Sequence, residues 1–166
     1  MATNSLSPKE NFARAIRCPD DEINLGAAAL YAASSEFPDL DVIAYQGRIA
    51  QFGTRVKDSL PADYTNFEFV ESMHEVLFGK AGFTGDTKDY FDPGNSHLNE
   101  VIDRLKGNPV TLSIFYIEVA RVAGEKVRGI SLRKHFVVVV GTGEDRIYVD
   151  PFHGGGLLSR KECITN

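Results

Sequence analysis

Apolar residues recur at intervals of three and four through much of the first 124 residues, which is the spacing of amphipathic helices. Capping boxes beginning at Ser7 and Ser159 mark helix starts near the two ends of the chain. Helices are predicted after Ser7, at 23–35, 39–60 and 66–78, from Asn95 or Ser96 through Leu105, at Pro109–Ala123 and after Ser159. Between the fourth and fifth helices, residues 79–94 hold four glycines among aromatic and charged residues, which predicts a long ordered loop.

The sixth predicted helix is apolar around nearly its whole circumference. Its sequence, PVTLSIFYIEVARVA, carries full charges only at Glu118 and Arg121. A helix with so little polar surface is expected to be buried on all sides, so it should lie at the centre of the fold. After Gly124 the pattern changes to alternating or continuous β-branched residues, which predicts strands at Val127–Leu132, His135–Val140 and 146–150.

The order of these elements predicts an α+β fold. A helical bundle formed by residues 7–124 is expected to pack on a small antiparallel sheet formed by residues 127–151, with the sixth helix at the centre. The 166 residues, of which 43% are apolar, suit one domain that spans 1–166. The last helix, predicted over 159–166, is too short to be stable alone, so we expect the chain to be a truncated form of a longer protein.

Composition argues against several classes of function. The net charge of −5 comes without a long basic block, so nucleic acid is not an expected partner. The N-terminus lacks the apolar segment of a secretion signal and FVVVV is the longest aliphatic run, so we expect a cytoplasmic protein without membrane insertion. Cys18 and Cys163 lie at opposite ends of the chain, which argues against a disulfide framework or a zinc knuckle.

The second and third predicted strands bring a histidine and an aspartate together. If residues 141–144 form a four-residue hairpin loop, Val140 faces Asp145 and His135 lies directly opposite Asp150. Opposite residues in an antiparallel pair have Cβ atoms about 5 Å apart, which lets a carboxylate bind an imidazole. The same register gathers an apolar set on the other, core-facing side: Phe136, Val138, Val140, Ile147 and Val149.

The pairing of His135 with Asp150 has two interpretations. An aspartate that holds one ring nitrogen fixes the tautomer and raises the basicity of the other nitrogen, so His135 could act as a general base. Alternatively, His135 only begins a strand, and Asp150 only ends one before Pro151.

Several segments of the chain resemble the transglutaminase-like domain of the SirB family. They are GNP leading into SIFYIEVARVAGEKVRGISL, then KHFVVVV and IYVDPFHGG, with EFPDLDV, EVLFGKAGFTGDTKDYFDPGNSHLNEVI and LLSRKEC around them. The resemblance runs from about residue 28 to residue 163 and implies a papain-like core. In that superfamily a helix supplies a cysteine, one strand a histidine and the next strand an aspartate, and His135 and Asp150 take the last two roles.

The same resemblance places the cysteine position at Pro109, which cannot act as a nucleophile. The nearest hydroxyls on this helix belong to Thr111 and Ser113, with Tyr116 one turn further. A buried helix hydroxyl commonly bonds to the carbonyl one turn back, which is the structural alternative to a catalytic role. Cys163 could also approach the site, or could be a small apolar contact under the final helix.

Three further residues are candidates for the cleft. His153 lies near His135 and Asp150 in sequence, but no fourth ligand is evident, so we expect neither a metal nor another cofactor. Asn99 and Glu100 precede the central helix, where they could line the cleft together with Tyr116 and His153.

Two functions are compatible with these residues. The first is a catalytically degenerate, regulatory domain that binds a protein partner, because the resemblance implies a family described as regulatory whose longer members carry helical repeats after this domain. The second is an acyltransferase or amide hydrolase with His135 as base and Asp150 as orienting group; Thr111, Ser113 or Cys163 would be the nucleophile. A third possibility is that the histidine and aspartate only tie the hairpin together.

Overall fold

The computed structural model describes residues 6–133 and 135–165, and of residues 164 and 165 only the helical backbone. Its helices are α1 (Pro8–Ala15), α2 (Leu25–Ala33), α3 (Val42–Ser59), α4 (Asn66–Met73), α5 (Leu98–Arg104), α6 (Pro109–Ala123) and α7 (Arg160–Thr165). Its strands are β1 (Thr84–Gly85), β2 (Lys106–Gly107), β3 (Val127–Leu132), β4 (His135–Val140), β5 (Ile147–Asp150) and β6 (Gly156–Leu158). The predicted α+β class is confirmed.

The central position of α6 is also confirmed. Ten of its 15 residues are buried, and it contacts α3 on one side and β3 and β4 on another. The contact with α3 is close because Gly53 has no side chain: a Cβ there would lie 2.4 Å from the Cβ of Val122 and 2.9 Å from the carbonyl oxygen of Val119. The two helix backbones can approach this closely only at a glycine.

The buried charge of α6 joins two helices. The Glu118 carboxylate accepts a hydrogen bond of 2.9 Å from the backbone N–H of Leu25, the first residue of α2. Its other oxygen accepts two bonds, of 2.9 and 2.7 Å, from the guanidinium of Arg121. Because a carboxylate is stabilised at a helix N-terminus, this one charge fixes the start of α2 against α6.

The larger sheet has the antiparallel order β3-β4-β5-β6. The predicted hairpin register is wrong by two residues, since Val140 pairs with Ile147 rather than with Asp145. The connection is longer than predicted because it contains a 3-10 turn, Gly143–Asp145. A shift by an even number keeps each side chain on its predicted face, so the face on which His135 and Asp150 lie is unchanged.

Four of the five apolar residues predicted on the core side of the hairpin lie in or against the core, whereas the fifth, Phe136, lines a surface pocket. Val138, Val140 and Val149 belong to the hydrophobic core, and Ile147 packs against that core. The alternate residues Val137 and Val139 are buried as well. Strand β4 is therefore covered on both faces along most of its length.

Several short elements escape the hydrophobic pattern. Strands β1 and β2 form a small parallel pair inside what was predicted as a loop and a helix end. Helix α4 continues as a π-helix, His74–Lys80. After β5, a 3-10 turn, Pro151–His153, leads into β6.

The predicted start of α5 at Asn95 or Ser96 is wrong. Both residues belong to a 3-10 turn, Pro93–Ser96, which is capped by the Asp92 side chain through the N–H of Gly94 at 2.8 Å. Helix α5 begins only at Leu98 and has no side-chain cap. Asn95 is used instead to brace the preceding loop, as described below.

Both predicted capping boxes are confirmed. The hydroxyl oxygens of Ser7 and Ser159 accept from the N–H groups of Glu10 and Glu162, at 3.3 and 3.2 Å. The carboxylate of each glutamate accepts in turn from the backbone N–H of its serine, at 2.8 and 2.7 Å. Among the residues that the structure describes, no helix combines the length and the apolar character needed to cross a bilayer.

Two glycines of α3 provide a matched test of the α3–α6 contact. Gly53→Ala should lower the free energy of unfolding by about 1–3 kcal/mol, because the added methyl group overpacks against Val122 and the Val119 carbonyl. Gly47→Ala should raise it by about 0.5–1 kcal/mol, because no atom lies within 4 Å of that position and alanine favours the helix. Urea denaturation of both variants measures this, and equal effects would contradict the close packing.

Candidate functional site

His135, Asp150 and His153 converge on one carboxylate oxygen. The Oδ2 atom of Asp150 lies 2.7 Å from Nε2 of His135 and 2.7 Å from Nδ1 of His153. The other oxygen, Oδ1, accepts bonds from the N–H groups of Phe152 and His153 at 3.0 and 3.2 Å. An ionised carboxylate only accepts, so both imidazoles donate to it, and a neutral ring keeps its other nitrogen as an acceptor.

The local sequence explains why the carboxylate is held so firmly. Asp150 is 4% exposed and ends β5, where it caps the 3-10 turn that Pro151 begins. Gly154 and Gly155 then take left-handed conformations, with φ of +64° and +80°, and the chain returns as β6. Residues with a Cβ rarely adopt these angles, so the two glycines allow the tight return that places His153 beside Asp150.

A surface pocket of about 430 Å³ lies beside His135. It is lined by the start of α6, from Asn108 to Val110, and by residues of β3 and β4 that include His135. The rim is completed by Tyr90, Phe91, Asp92, Pro93 and Ser96. The predicted histidine and the residue at the predicted cysteine position, Pro109, therefore face one cavity.

Arg104 stabilises the loop that forms the rim through hydrogen bonds. Its guanidinium donates to Asp92 at 2.8 Å and to the side-chain oxygen of Asn95 at 2.8 Å. The Asn95 amide in turn donates to the backbone carbonyl of Asp89 at 2.8 Å. The prediction of an ordered loop is explained by this charge-assisted network.

The start of α6 is joined to the same loop through Asn108. Its side-chain oxygen caps the helix by accepting from the N–H of Thr111 at 2.9 Å, and its amide nitrogen donates to the Ser96 hydroxyl at 3.0 Å. The helix start and the rim are thus positioned together.

The predicted hydroxyl nucleophiles point elsewhere. Thr111 donates from its hydroxyl to the Asn108 side chain at 3.1 Å. Ser113 is 0% exposed, and its hydroxyl has no hydrogen-bond partner within the described part of the chain. Neither lines the pocket, and neither makes the bond to a carbonyl one turn back that the structural alternative assumed.

The other predicted cleft residues also lie away from this pocket. Tyr116 is buried and stacks on Phe78 at 6.4 Å between ring centroids; burial raises the pKa of its hydroxyl. Asn99 is buried in α5, and Glu100 is half-buried on the same helix. None of these three residues lines the pocket beside His135.

Cys163 lies on α7 and is half-buried. Burial and the neighbouring Glu162 carboxylate raise the pKa of its thiol. Because the thiolate is the reactive form, this environment disfavours Cys163 as a nucleophile.

Several pocket residues are missed by sequence reasoning. Ser96 was interpreted only as a helix cap, and Ser131, Tyr90 and Phe91 were not singled out, although all four line the pocket. Phe91 is 90% exposed. The sequence signal that could have identified this surface was the pair of aromatic residues, Tyr90 and Phe91, in an otherwise polar loop. Large apolar side chains that are exposed together indicate a binding surface, whereas buried ones indicate only the core.

The π-helix supports the turn that carries His153. A Cβ on Gly155 would lie 2.6 Å from Nε2 of His74, so the π-helix and the turn are in direct contact. His74 also makes an edge contact with Phe78. Burial lowers the pKa of His74, and its Nε2 atom has no hydrogen-bond partner among the described residues.

Comparison with known proteins finds one family. The model of the transglutaminase-like superfamily matches residues 43–165. No solved structure matches the chain significantly.

Curated relatives include bacterial and animal proteins. A UPF0162 protein of Xylella fastidiosa is 33% identical over 143 residues, which are 86% of this chain and 51% of that protein. A UPF0162 protein of Vibrio cholerae is 33% identical over 51% of this chain and 32% of its own length. The human F-box only protein 21 is 29% identical over 58% of this chain and 17% of its own length. The chain thus spans about half the length of the Xylella relative and less of the other two.

The buried His74 should make stability depend on pH. Its pKa in the folded state lies below the ordinary value of 6.5, so the folded protein binds fewer protons than the unfolded chain in this range. The free energy of unfolding should therefore be unaffected by His74 above about pH 6.5, and it should decrease as the pH falls below this value and through the lowered folded-state pKa. In a His74→Gln variant, the decrease in free energy of unfolding between about pH 7 and pH 5, measured by urea denaturation, should be smaller. An unchanged dependence would contradict the lowered pKa.

Proposed function

The chain belongs to the transglutaminase-like superfamily, and on this premise we propose that it is a SirB-family domain whose triad has lost its nucleophile and whose cleft binds a protein segment. His135 and Asp150 take the family's histidine and aspartate roles, and Pro109 occupies the position of its cysteine. The observation that carries the proposal is the shared pocket, which both Pro109 and His135 line.

The environment of the candidate nucleophiles supports the loss of catalysis. Thr111 is engaged by the cap of α6, and Ser113 is enclosed in the core. The Cys163 thiol is disfavoured by its raised pKa. With these three nucleophiles engaged elsewhere, His135 retains its hydrogen bonds but has no proton to remove from any of them.

The surface around the pocket supports binding of a protein. Phe91 and Tyr90 on the rim and Val110 on α6 are large apolar residues that are exposed to solvent. Apolar groups gathered around a cavity and bordered by polar ones are typical of an interaction site, where aromatic residues contribute most of the binding energy. We assign to this site an extended protein segment that inserts an apolar side chain between Phe91 and Val110.

The wider assignments follow from the same resemblance. We propose on the same basis that the protein has a regulatory role and a cytoplasmic location, and that the full-length protein carries further helical repeats C-terminal to this domain. Within that protein, residues 1–166 would form a single domain that acts as one binding module.

A second candidate function rests on a different side chain. Ser96 lines the pocket with His135, and its hydroxyl oxygen accepts from Asn108, which leaves its own proton available. With His135 as base and Asp150 as orienting group, this serine would permit amide hydrolysis or acyl transfer. Thr111, Ser113 and Cys163 would each need to change their present contacts to serve the same reaction.

Restoring the thiol tests the proposed triad. The Pro109→Cys variant, prepared with Cys18 and Cys163 replaced by serine, should react with iodoacetamide at pH 6 at least about tenfold faster than the same protein carrying His135→Ala. The reason is that an ordinary thiol is almost fully protonated at this pH, whereas one beside an imidazole at a helix start is partly ionised.

Two results would contradict this proposal. Equal alkylation rates with and without His135 would show that residue 109 is not the cysteine position. Labelling of the unaltered protein by a fluorophosphonate, lost in both Ser96→Ala and His135→Ala, would replace the degenerate triad by the serine hydrolase alternative.

Site-specific crosslinking tests the binding role separately. A photoreactive benzoylphenylalanine at position 91 should crosslink one protein partner in cells, and Val110→Asp should remove most of that product, because a charge beside Phe91 disrupts an apolar contact. The same group at Ile43, an exposed residue of α3, is the matched control. Equal products at positions 91 and 43, or no effect of Val110→Asp, would contradict the proposed surface.

A further inference from the structure

Within residues 6–133 and 135–165, one group of histidine, cysteine and acidic side chains has the arrangement of a metal site. It consists of His135, Asp150 and His153, whose potential ligand atoms all lie within 4.8 Å of one another. From this convergence we infer that the three residues form a binding site for a divalent transition metal ion such as Zn²⁺. This inference is independent of the proposed protein-binding function.

The geometry directs both imidazoles toward one point. Nε2 of His135 and Nδ1 of His153 each lie 2.7 Å from the same oxygen of Asp150. Ligand atoms around a four-coordinate zinc ion lie about 3.3 Å apart, given bonds of about 2.0–2.1 Å. Each nitrogen therefore needs to move about half an ångström away from Oδ2 to admit the ion, and the two nitrogens, which lie within 4.8 Å of each other, need to come to the same spacing of about 3.3 Å, a change that rotation of the exposed His153 side chain can supply.

The hydrogen bonds to the carboxylate and the exposure of His153 favour a metal site. The carboxylate is oriented by two backbone N–H groups on Oδ1, so Oδ2 remains available to the metal. Hydrogen bonds of this kind, made to the ligands themselves, orient metal-binding carboxylates. The side chain of His153 is 63% exposed, which gives it freedom to move and gives the ion a path from solvent.

The ligand types determine the class of metal. Two imidazoles and one carboxylate suit zinc and similar first-row ions, whereas Ca²⁺ and Mg²⁺ prefer sites built from oxygen. Three protein ligands leave a coordination position for water, as in catalytic zinc sites, so the missing fourth ligand noted from the sequence does not argue against binding.

Binding changes the positions of two protons. In a neutral ring, the proton that His135 directs from Nε2 toward Asp150 moves to Nδ1, and the proton of His153 moves from Nδ1 to Nε2. Each vacated nitrogen then donates its lone pair to the metal, and no proton is released. An imidazolium ring would release one proton to solvent instead.

Metal binding and the free hydrogen-bonded pair therefore exclude each other. Nε2 of His135 cannot donate a hydrogen bond to Asp150 and coordinate an ion at the same time. The metal would replace both imidazole bonds to Oδ2 while it leaves the two backbone bonds to Oδ1 in place.

In the experiment, the full chain is first treated with a chelator and is then titrated with Zn²⁺. Calorimetry measures the affinity and the stoichiometry, and NMR follows the ring resonances of the histidines. One ion per chain is expected, and the resonances of His135 and His153 should shift while those of His97 do not. Of the four histidines of the chain, His97 is the internal control, because it lies outside the cluster and its ring contacts Phe37.

Variants decide between this site and adventitious binding. His153→Ala, at an exposed position where the fold should be retained, should weaken zinc binding at least about tenfold, and Asp150→Asn should do the same. His97→Ala is the matched control and should leave affinity unchanged. Absence of stoichiometric binding, or binding that is lost in His97→Ala but retained in His153→Ala, would overturn the proposal.

Discussion

The carboxylate of Asp150 is the group on which the site depends. It accepts four hydrogen bonds, two from imidazoles and two from the backbone. Since the residue is almost fully buried, each donor compensates part of the free energy lost when the charge leaves water. This carboxylate therefore joins the start of β4, the end of β5 and the turn that follows. It also sets the orientation of the His135 ring.

The start of α6 and the loop beside it are held by a second set of hydrogen bonds. There Asn108 caps α6 and contacts Ser96, while Arg104 holds the loop that carries Phe91. No residue of this network takes part in the bonds around Asp150. The position of Pro109 relative to His135 consequently depends on the packing of α6 against the sheet, which the close α3–α6 contact at Gly53 helps to fix.

Much of the fold could be predicted from periodicity. The helical spacing of apolar residues and the β-branched run after Gly124 give helices and strands whose bounds mostly agree with the structure. The contact of His135 with Asp150 was predicted from a register that is wrong, and it still occurs because a two-residue shift preserves the face. Diagonal neighbours on one face remain within reach of an imidazole.

The features that were missed are set by tertiary contacts rather than by local pattern. Strand β1 has two residues, and its Gly85 lies against Phe152, where a Cβ would approach the carbonyl oxygen to 2.4 Å. Ser96 reaches the pocket because Asn108, twelve residues away, holds it there. Neither contact leaves a periodic signal, so sequence reasoning could identify these residues only as a loop and a cap.

The Asp150 carboxylate also differs in one geometric respect from the aspartate of a Ser-His-Asp triad. In a triad, the aspartate oxygen orients one imidazole and stabilises its charged form. Here one oxygen serves two rings, of which His135 is largely enclosed and His153 is mostly exposed. In the structure both rings share this acceptor, while the backbone bonds to Oδ1 hold the carboxylate whichever ring is bound. The hydrogen bonding of the pocket-lining His135 and that of the exposed His153 therefore meet at one atom, the Oδ2 of Asp150.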